Sequence, residues 1–249
     1  HRDLHSFPTR RSSDLDRPNV MIKVPATPQG IPAIRTLIAA GINVNITLLF
    51  NARQYGQVVQ AYLEGLESLT LSGGNPDHVA SVASFFVSRI DTAIDAVLKK
   101  KGVRQLQGTI AIAACKNIYA DFKTYFQGPR WEQLAAAGAR VQRLLWASTG
   151  TKNPHYPDTL YVDELIGKDT VNTLPPATLT AVLDHGQSAA AIEKNVAEAK
   201  QRLADLQELG IDLGGLTEKL QQDGVQAFSN SFTSLMQSIE EKAKRFVGR

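Results

Sequence analysis

The sequence contains very little cysteine, since Cys115 is the only one among 249 residues. An internal disulfide is therefore excluded, which fits a reducing compartment, and we expect a cytoplasmic protein. Long apolar runs are also missing, because no stretch approaches the roughly 18 residues that a membrane-spanning helix needs. The first residues are polar and include Pro8, unlike a secretory signal. We therefore expect no membrane partner.

Several ligand motifs are absent as well. The sequence has no glycine pattern of the kind that binds dinucleotides and no Walker-type phosphate loop. His78, His155 and His185 are isolated, so we expect no metal and no other cofactor. The formal net charge is only +3, and the basic residues are scattered rather than interleaved with aromatic ones. We therefore expect no nucleic-acid partner, and the mild positive excess either suits small anionic ligands or has no significance.

The first 15 residues, HRDLHSFPTRRSSDL, differ from the rest because they are polar and aperiodic. They resemble translated sequencing-adapter stretches, and we interpret residues 1–15 as an artefactual segment, with a disordered arm as the alternative. If the segment is artefactual, the natural chain begins earlier. Residues 16–249 contain no linker or low-complexity stretch and are predicted to form one domain with a helical C-terminal layer.

Short β-branched runs alternate with helical periodicity along the chain. The predicted strands are Val20–Val24, Asn43–Leu49, Val79–Val87, Arg143–Ala147 and Asp169–Leu174. The predicted helices are Pro28–Ala40, Ala52–Leu71, about Asp91–Lys99, about Val103–Tyr125, Trp131–Ala137, a short one near Asp158–Ile166, and a tail from Pro176 with breaks at Gly186, Gly210, Gly214, Gly215 and Gly224. This order predicts an α/β fold with a parallel sheet and right-handed crossovers. Periodicity alone leaves open a barrel or an open doubly wound sheet.

The second predicted strand has one polar face, which Asn43, Asn45 and Thr47 share. A strand between two helical crossovers should be apolar on both faces. If the polar face is interior, its groups need each other, water or a ligand as partners. The face is therefore a candidate site, and a half-exposed antiparallel strand is the alternative.

Lys23 interrupts the first predicted strand in the same way, on the face that it shares with Met21. Such a lysine either reaches solvent near a strand end or is a functional amine. An ammonium group that is desolvated in an apolar lumen loses its proton more easily, and the neutral amine can then attack a ketone to form an imine. The protonated imine accepts the electron pair of a breaking C–C bond, without a metal or an organic cofactor.

A second polar group follows the third and fourth predicted strands. Ser84 lies late on the third strand, Arg89 follows five residues later, and Ser148 begins a hydroxyl-rich loop that ends at Lys152. In barrels, ligand groups gather at the C-terminal ends of the strands. Hydroxyls, free N–H groups, one arginine and one lysine suit a phosphate dianion. The alternative is a surface loop with unpaired basic groups.

Four segments together resemble the transaldolase family in order and spacing. They are IKVPAT (Ile22–Thr27), GINVNITLLF (Gly41–Phe50), SFFVSRID (Ser84–Asp91) and WASTGTKNP (Trp146–Pro154). DELIGKDTVNTLP (Asp163–Pro175) and the helical tail resemble the actinobacterial and cyanobacterial branch. The resemblance implies a (β/α)8 TIM barrel of the class I aldolase type, of which about five strands are present here.

The resemblance also implies roles for individual residues. Lys23 matches the Schiff-base lysine, and Thr47 matches a threonine that positions the catalytic water. The implied substrate-binding residues are Asn45, Ser84, Arg89, Ser148 and, near an arginine position of another branch, Lys152. The implied reaction transfers a dihydroxyacetone unit from a ketose phosphate, such as fructose 6-phosphate, to an aldose phosphate, such as erythrose 4-phosphate. This reaction belongs to the non-oxidative pentose phosphate pathway, and its partners are sugar phosphates.

The chain departs from the family pattern at its beginning. The family's lysine lies on the fourth strand, whereas Lys23 lies on the first strand predicted here. The first three βα units, which carry a proton-shuttling aspartate and a glutamate that acts through the water, have no counterpart. General acid–base help contributes about 10²–10⁴-fold, so we expect the chain as written to be weakly active or inactive, with an exposed sheet edge.

Other interpretations remain open. One is a Schiff-base aldolase of the fructose-6-phosphate aldolase kind, which releases the aldehyde. Another is a non-catalytic helical fragment, in which Ile192, Val196, Ala199 and Leu203 form an oligomer face instead of packing on the protein's own body. A homo-oligomer is possible in either case. A fused phosphoglucose isomerase domain, known in some members of the branch, is neither supported nor excluded.

Overall fold

The computed structural model describes residues 17–247, with side chains as far as residue 244. The segment 1–15 lies outside the described residues. Parallel strands form one sheet whose spatial order, β1-β2-β3-β4-β5, follows the chain. The strands are β1 (Ile22–Pro25), β2 (Val44–Leu49), β3 (Ser81–Phe86), β4 (Arg143–Ala147) and β5 (Thr170–Asn172).

The strand order decides between the two sheet architectures. A doubly wound sheet reverses its strand order at a switch point, which places helices on both faces. Here every crossover advances by one strand in the same direction, so right-handed connections place the crossover helices on one face, as in a barrel. The predicted α/β fold with five strands of a barrel is therefore confirmed. Within the described residues, β1 and β5 are the edges of the sheet.

Helices connect the strands and continue beyond β5. They are α1 (Gly30–Ala39), α2 (Ala52–Leu71), α3 (Val87–Lys100), α4 (Ile110–Tyr125), α5 (Gly128–Ala136), α6 (Leu160–Leu165), α7 (Pro176–His185), α8 (Val196–Glu208) and α9 (Leu213–Val247). The start of α2 is capped by Asn51, whose side chain accepts a hydrogen bond from the Gln54 N–H at 2.8 Å. Within the described residues, no helix is long and apolar enough to span a membrane.

The main core lies between the sheet and the helices. Tyr55, Phe85 and Trp146 are fully buried in it, and the ring of Phe85 packs against both other aromatic rings at centroid distances of 5.5 and 5.8 Å. The opposite face of the sheet carries a much smaller apolar cluster around Val82 and Leu145. The polar side chains of the candidate site lie on this second face, because side chains alternate along each strand.

Two helix boundaries were predicted wrongly. The stretch after Val103 was expected to be helical, but α4 begins only at Ile110, whereas α3 begins earlier than expected, at Val87. The predicted breaks at Gly214, Gly215 and Gly224 do not occur, because α9 runs through all three. A β-carbon on Gly224 would lie 2.9 Å from Leu48 Cδ2. This glycine therefore allows α9 to approach the end of β2 closely.

The first part of the helical tail packs on the protein's own body. Ile192 and Ala199 are buried, and α8 lies against α4. Packing on the body is therefore confirmed for this stretch, and the alternative oligomer face is wrong there. Later in the tail, Phe228, Phe232, Leu235, Met236 and Ile239 on α9 are exposed apolar residues.

Candidate active site

Three predicted site residues lie on adjacent strands. Lys23 on β1 is paired in register with Asn45 on β2. Ser84 on β3 donates its hydroxyl hydrogen to Asn45 Oδ1 at 2.7 Å. Because this bond occupies the amide oxygen, Asn45 Nδ2 remains available to donate to a hydroxyl or carbonyl oxygen of a ligand. The structure thus brings an amine, an amide and a hydroxyl together on one face of the sheet.

Lys23 does not lie in the apolar surroundings that a desolvated amine requires. Its side chain is exposed, because β1 is an edge strand of the sheet. The ring of Phe228 on α9 lies beside it, with its centroid 5.5 Å from Lys23 Nζ. Of the two alternatives for Lys23, these five strands show the lysine that reaches solvent and not the amine desolvated in an apolar lumen.

Thr47 is buried, with 3% of its surface exposed, and its hydroxyl has no hydrogen-bond partner among the described residues. Its carbonyl oxygen accepts from the Ala26 N–H at 2.8 Å, which joins the ends of β2 and β1. Beyond it the register with β3 shifts, and Leu48 adopts a φ of 60°. A buried hydroxyl usually finds a partner, so a water or a substrate oxygen is the partner that suits Thr47 Oγ1.

Asn43 belongs to the same polar face by sequence but does not join the site. Its Nδ2 donates to the carbonyl oxygens of Pro18 and Val20 at 3.0 and 3.3 Å, and its Oδ1 accepts from the Ala80 N–H at 2.8 Å. All three contacts lie at the N-terminal end of the sheet. Asn43 therefore connects the segments that lead into β1, β2 and β3.

The second polar group is centred on the contact between Ser148 and the start of α3. The Ser88 N–H donates to the Ser148 carbonyl at 3.0 Å, and the two hydroxyl oxygens are also 3.0 Å apart. Ser148 has a φ of 57°, a conformation that is uncommon for a residue other than glycine and that often marks functional sites. Two side chains and the first turn of α3 thus present polar groups at the C-terminal edge of the sheet.

The two basic residues of this group differ in how they are placed. Arg89 lies in the first turn of α3, where its guanidinium carbon is 4.7 Å from the centroid of the Phe86 ring and its side chain is exposed. Stacking on Phe86 fixes the guanidinium beside the strand ends. Lys152 is exposed in the loop after Ser148. Its placement adds nothing to the prediction of a phosphate ligand.

An acidic residue that the sequence analysis did not select organises the helices around Arg89. Asp91 is 1% exposed and accepts hydrogen bonds from the Ala111 N–H at 2.8 Å and the Tyr161 hydroxyl at 2.9 Å. Burial raises the pKa of its carboxyl group from 3.8 to about 7, although the two hydrogen bonds oppose this change. Asp91 connects α3 to the first turn of α4 and to α6. An aspartate between apolar helix positions was the only signal in the sequence.

The arrangement suits imine chemistry on a small polar ketone. It offers an amine on β1, donors on β2 and β3 for hydroxyl groups, and a basic, hydroxyl-bearing edge after β3 and β4. Within the described residues, no group of three or more His, Cys, Asp or Glu side chains is placed to hold a metal ion.

Comparison with known proteins agrees with this chemistry. The chain matches the family described as transaldolase/fructose-6-phosphate aldolase over residues 9–239. It is 46% identical to a protein named transaldolase 2 from the cyanobacterium Nostoc sp. over 249 residues, which cover 94% of this chain and 65% of the relative. It is 47% identical to a transaldolase of the actinobacterium Parafrankia sp. over 232 residues, which cover 92% and 63%, and 47% identical to one of Neisseria gonorrhoeae over 227 residues, which cover 91% and 64%.

The chain thus spans 63–65% of the length of these relatives, which is about two thirds. The predicted likeness to cyanobacterial and actinobacterial members is confirmed, and the Neisseria protein shows that the likeness extends beyond those groups. A family match over residues 9–239 together with these identities establishes that the chain belongs to the transaldolase/fructose-6-phosphate aldolase family.

Proposed function

We propose that this chain carries the ketose-binding and imine-forming part of a transaldolase. Its reaction would be the transfer of a dihydroxyacetone unit between ketose and aldose phosphates, in the cytoplasm and in the non-oxidative pentose phosphate pathway. The observation that carries the proposal is the placement of Lys23, Asn45 and Ser84 on three adjacent strands, with Ser84 orienting the Asn45 amide. The names of the relatives favour transfer over simple aldol cleavage.

In this proposal Lys23 Nζ attacks the ketone carbon, and loss of water leaves a protonated imine. Cleavage of the C3–C4 bond delivers its electron pair to the imine, forming an enamine, while the C4 hydroxyl gives its proton to a water molecule and an aldose phosphate leaves. The enamine carbon then attacks the acceptor aldehyde, and hydrolysis frees Lys23. The structure assigns no proton acceptor for the C4 hydroxyl among the described residues.

The other site residues bind and orient the sugar. Asn45 Nδ2 would donate to a substrate hydroxyl, and Thr47 Oγ1 would hold the water that hydrolyses the imine. Arg89 and Ser148 would receive the phosphate, with Lys152 as a further candidate. Two observations support these roles: the buried hydroxyl of Thr47 has no hydrogen-bond partner among residues 17–244, and the Arg89 guanidinium lies over the Phe86 ring.

The test compares two proteins, the 249-residue chain and a chimera in which residues 17–249 follow the part of the Nostoc relative that precedes its matched region. Each is made with Lys23 and as Lys23→Ala. Fructose 6-phosphate is supplied with and without erythrose 4-phosphate, and both products are quantified. We expect acceptor-dependent transfer by the chimera, little or none by the 249-residue chain, and none by either Lys23→Ala form.

Release of the aldehyde without an acceptor would assign the aldolase reaction instead. A folded chimera that forms neither product, or a Lys23→Ala chimera that retains transfer, would overturn the proposed function.

A further inference from the structure

Helix α9 crosses the C-terminal ends of β1 and β2. Near its start, Thr217 Oγ1 accepts from Asn51 Nδ2 at 3.0 Å. One turn later, Gln221 Nε2 donates to the carbonyl oxygens of Ala26 and Leu48 at 2.9 and 3.0 Å. Both hydrogens of the Gln221 amide are therefore used to connect Ala26, which directly follows β1, to Leu48, which lies next to Thr47 near the end of β2.

Phe228 lies seven residues beyond Gln221, which is two helical turns and therefore the same face of α9. Its ring centroid is 5.5 Å from Lys23 Nζ, within the distance at which an aromatic face attracts a cation. Gly224 lies between Gln221 and Phe228 on α9, and because it has no side chain the helix packs closely against Leu48 there. The two hydrogen bonds made by Gln221 thus hold α9 at the position that brings the Phe228 ring close to Lys23.

We propose that Phe228, held in place by Gln221, is a positioning residue that stabilises the cationic imine on Lys23. The inference rests on the proposed function, in which Lys23 forms an imine. The carbinolamine before dehydration is neutral, whereas the protonated imine is a cation close to the original position of Nζ. The negative face of the ring therefore favours the imine over its neutral precursor. It also favours the imine over the starting ammonium, because the imine cation is larger and less strongly hydrated. The Phe228 ring also covers one side of the exposed Lys23 amine and so limits the directions from which a ketone can approach.

The position of the ring is tested by NMR, without any substrate. Lysines are dimethylated with ¹³C-formaldehyde, and the Lys23 resonance is identified by its loss in Lys23→Arg. A ring face moves nearby methyl resonances upfield, so Phe228→Leu should move the Lys23 resonance downfield. Phe232→Leu is the matched control, because Phe232 is an exposed phenylalanine one turn further along α9.

The same spectra test the bond made by Gln221. Gln221→Glu has the same shape but can no longer donate to the two carbonyl oxygens, so it should move the resonance as Phe228→Leu does. Gln222→Glu adds the same charge at the exposed neighbouring position and should leave the resonance in place. An unchanged Lys23 resonance in Phe228→Leu would overturn the inference.

The effect on the imine is measured by trapping with borohydride at subsaturating dihydroxyacetone. Phe228→Leu should lower the trapped fraction on Lys23 about two- to fivefold, in line with an exposed cation–π contact, and Phe228→Tyr should retain it. Equal trapping in Phe228→Leu, Phe228→Tyr and the unchanged chain would overturn the inference and leave the imine function standing. No trapping in any form, including the unchanged chain and the chimera, would overturn the imine function itself, and the inference that rests on it would fall with it.

Discussion

Replacement of Asp91 by asparagine should change how the stability of the protein depends on pH. Asp91 is 1% exposed, and its two carboxyl oxygens accept hydrogen bonds from the Ala111 N–H and the Tyr161 hydroxyl. Asparagine has the same shape. Its oxygen can accept from Ala111, and its NH₂ group can donate to the Tyr161 oxygen, because a phenol also accepts. The substitution therefore removes the charge while both contacts are kept.

The direction of the effect follows from the pKa. Burial raises the pKa of Asp91 to about 7 in the folded protein, against 3.8 for the exposed group. Folding therefore takes up a proton between these two pH values, and the free energy of unfolding falls as pH rises through this window. Below it, Asp91 is protonated in both states and resembles asparagine. Above about pH 7, the ionised form makes the unchanged protein less stable than Asp91→Asn by up to about 4 kcal/mol.

Urea unfolding followed by circular dichroism, from pH 4.5 to pH 8.5, measures this difference. Other ionisable groups are shared by the two proteins, so their contributions largely cancel when the two free energies are subtracted. We expect the advantage of Asp91→Asn to grow steadily up to about pH 7 and then to level off. A constant difference from pH 4.5 to pH 8.5 would show that the hydrogen bonds hold the carboxylate ionised, and would refute the reasoning.

Three further substitutions test the packing of the helices. Gly224→Val should lower the free energy of unfolding by about 1–3 kcal/mol, because its β-carbon would lie 2.9 Å from the buried side chain of Leu48. The exposed position Gln226→Val is the control in thermal unfolding. An equal or smaller loss of stability in Gly224→Val than in this control would contradict the prediction. Lys116→Ala should lower the free energy of unfolding in urea by about 1–3 kcal/mol. The reason is that the buried Lys116 ammonium donates to a Glu164 carboxylate oxygen at 2.7 Å and to the Lys194 carbonyl oxygen at 3.0 Å. An unchanged unfolding midpoint would argue against these hydrogen bonds. Leu235→Lys should change the free energy of unfolding by less than about 0.5 kcal/mol, since this side chain is 56% exposed. It should also reduce any self-association that is seen by sedimentation. A large loss of stability would show that Leu235 is covered in the folded protein.

Local pattern was sufficient for the sheet and for several helices. Arg143–Ala147 and Ala52–Leu71 have the predicted bounds, because continuous apolar runs and a long amphipathic stripe are properties of the segment itself. The strand order required three-dimensional information, since the alternation of strands and helices is the same in a barrel and in a doubly wound sheet. Tertiary contact also explains Gly224, which reads as a helix break in sequence but serves the approach of α9 to Leu48.

The candidate site was predictable to a similar extent. The alternation in β2 was enough to place Asn45 on a polar face, and Ser84 was selected because it lies late on the next strand, but the pairing of Asn45 with Lys23 required the register of the sheet. The exposure of Lys23 agrees with the solvent-reaching alternative and with the expected exposed sheet edge, although the pattern of β1 alone did not choose between the two alternatives. The contact with Phe228 joins positions far apart in the chain, and no local pattern announces it.

The claim that Lys23 is the covalent residue is tested most directly by trapping the imine on it. The chain is incubated with fructose 6-phosphate and borohydride, its intact mass is measured, and the adduct is located by peptide mapping. We expect a reduced three-carbon or hexose phosphate adduct on the peptide that contains Lys23, and no adduct on this peptide in Lys23→Ala. An adduct confined to other lysines, or no adduct in either the chain or the chimera with the Nostoc segment, would contradict the claim that Lys23 is the covalent residue.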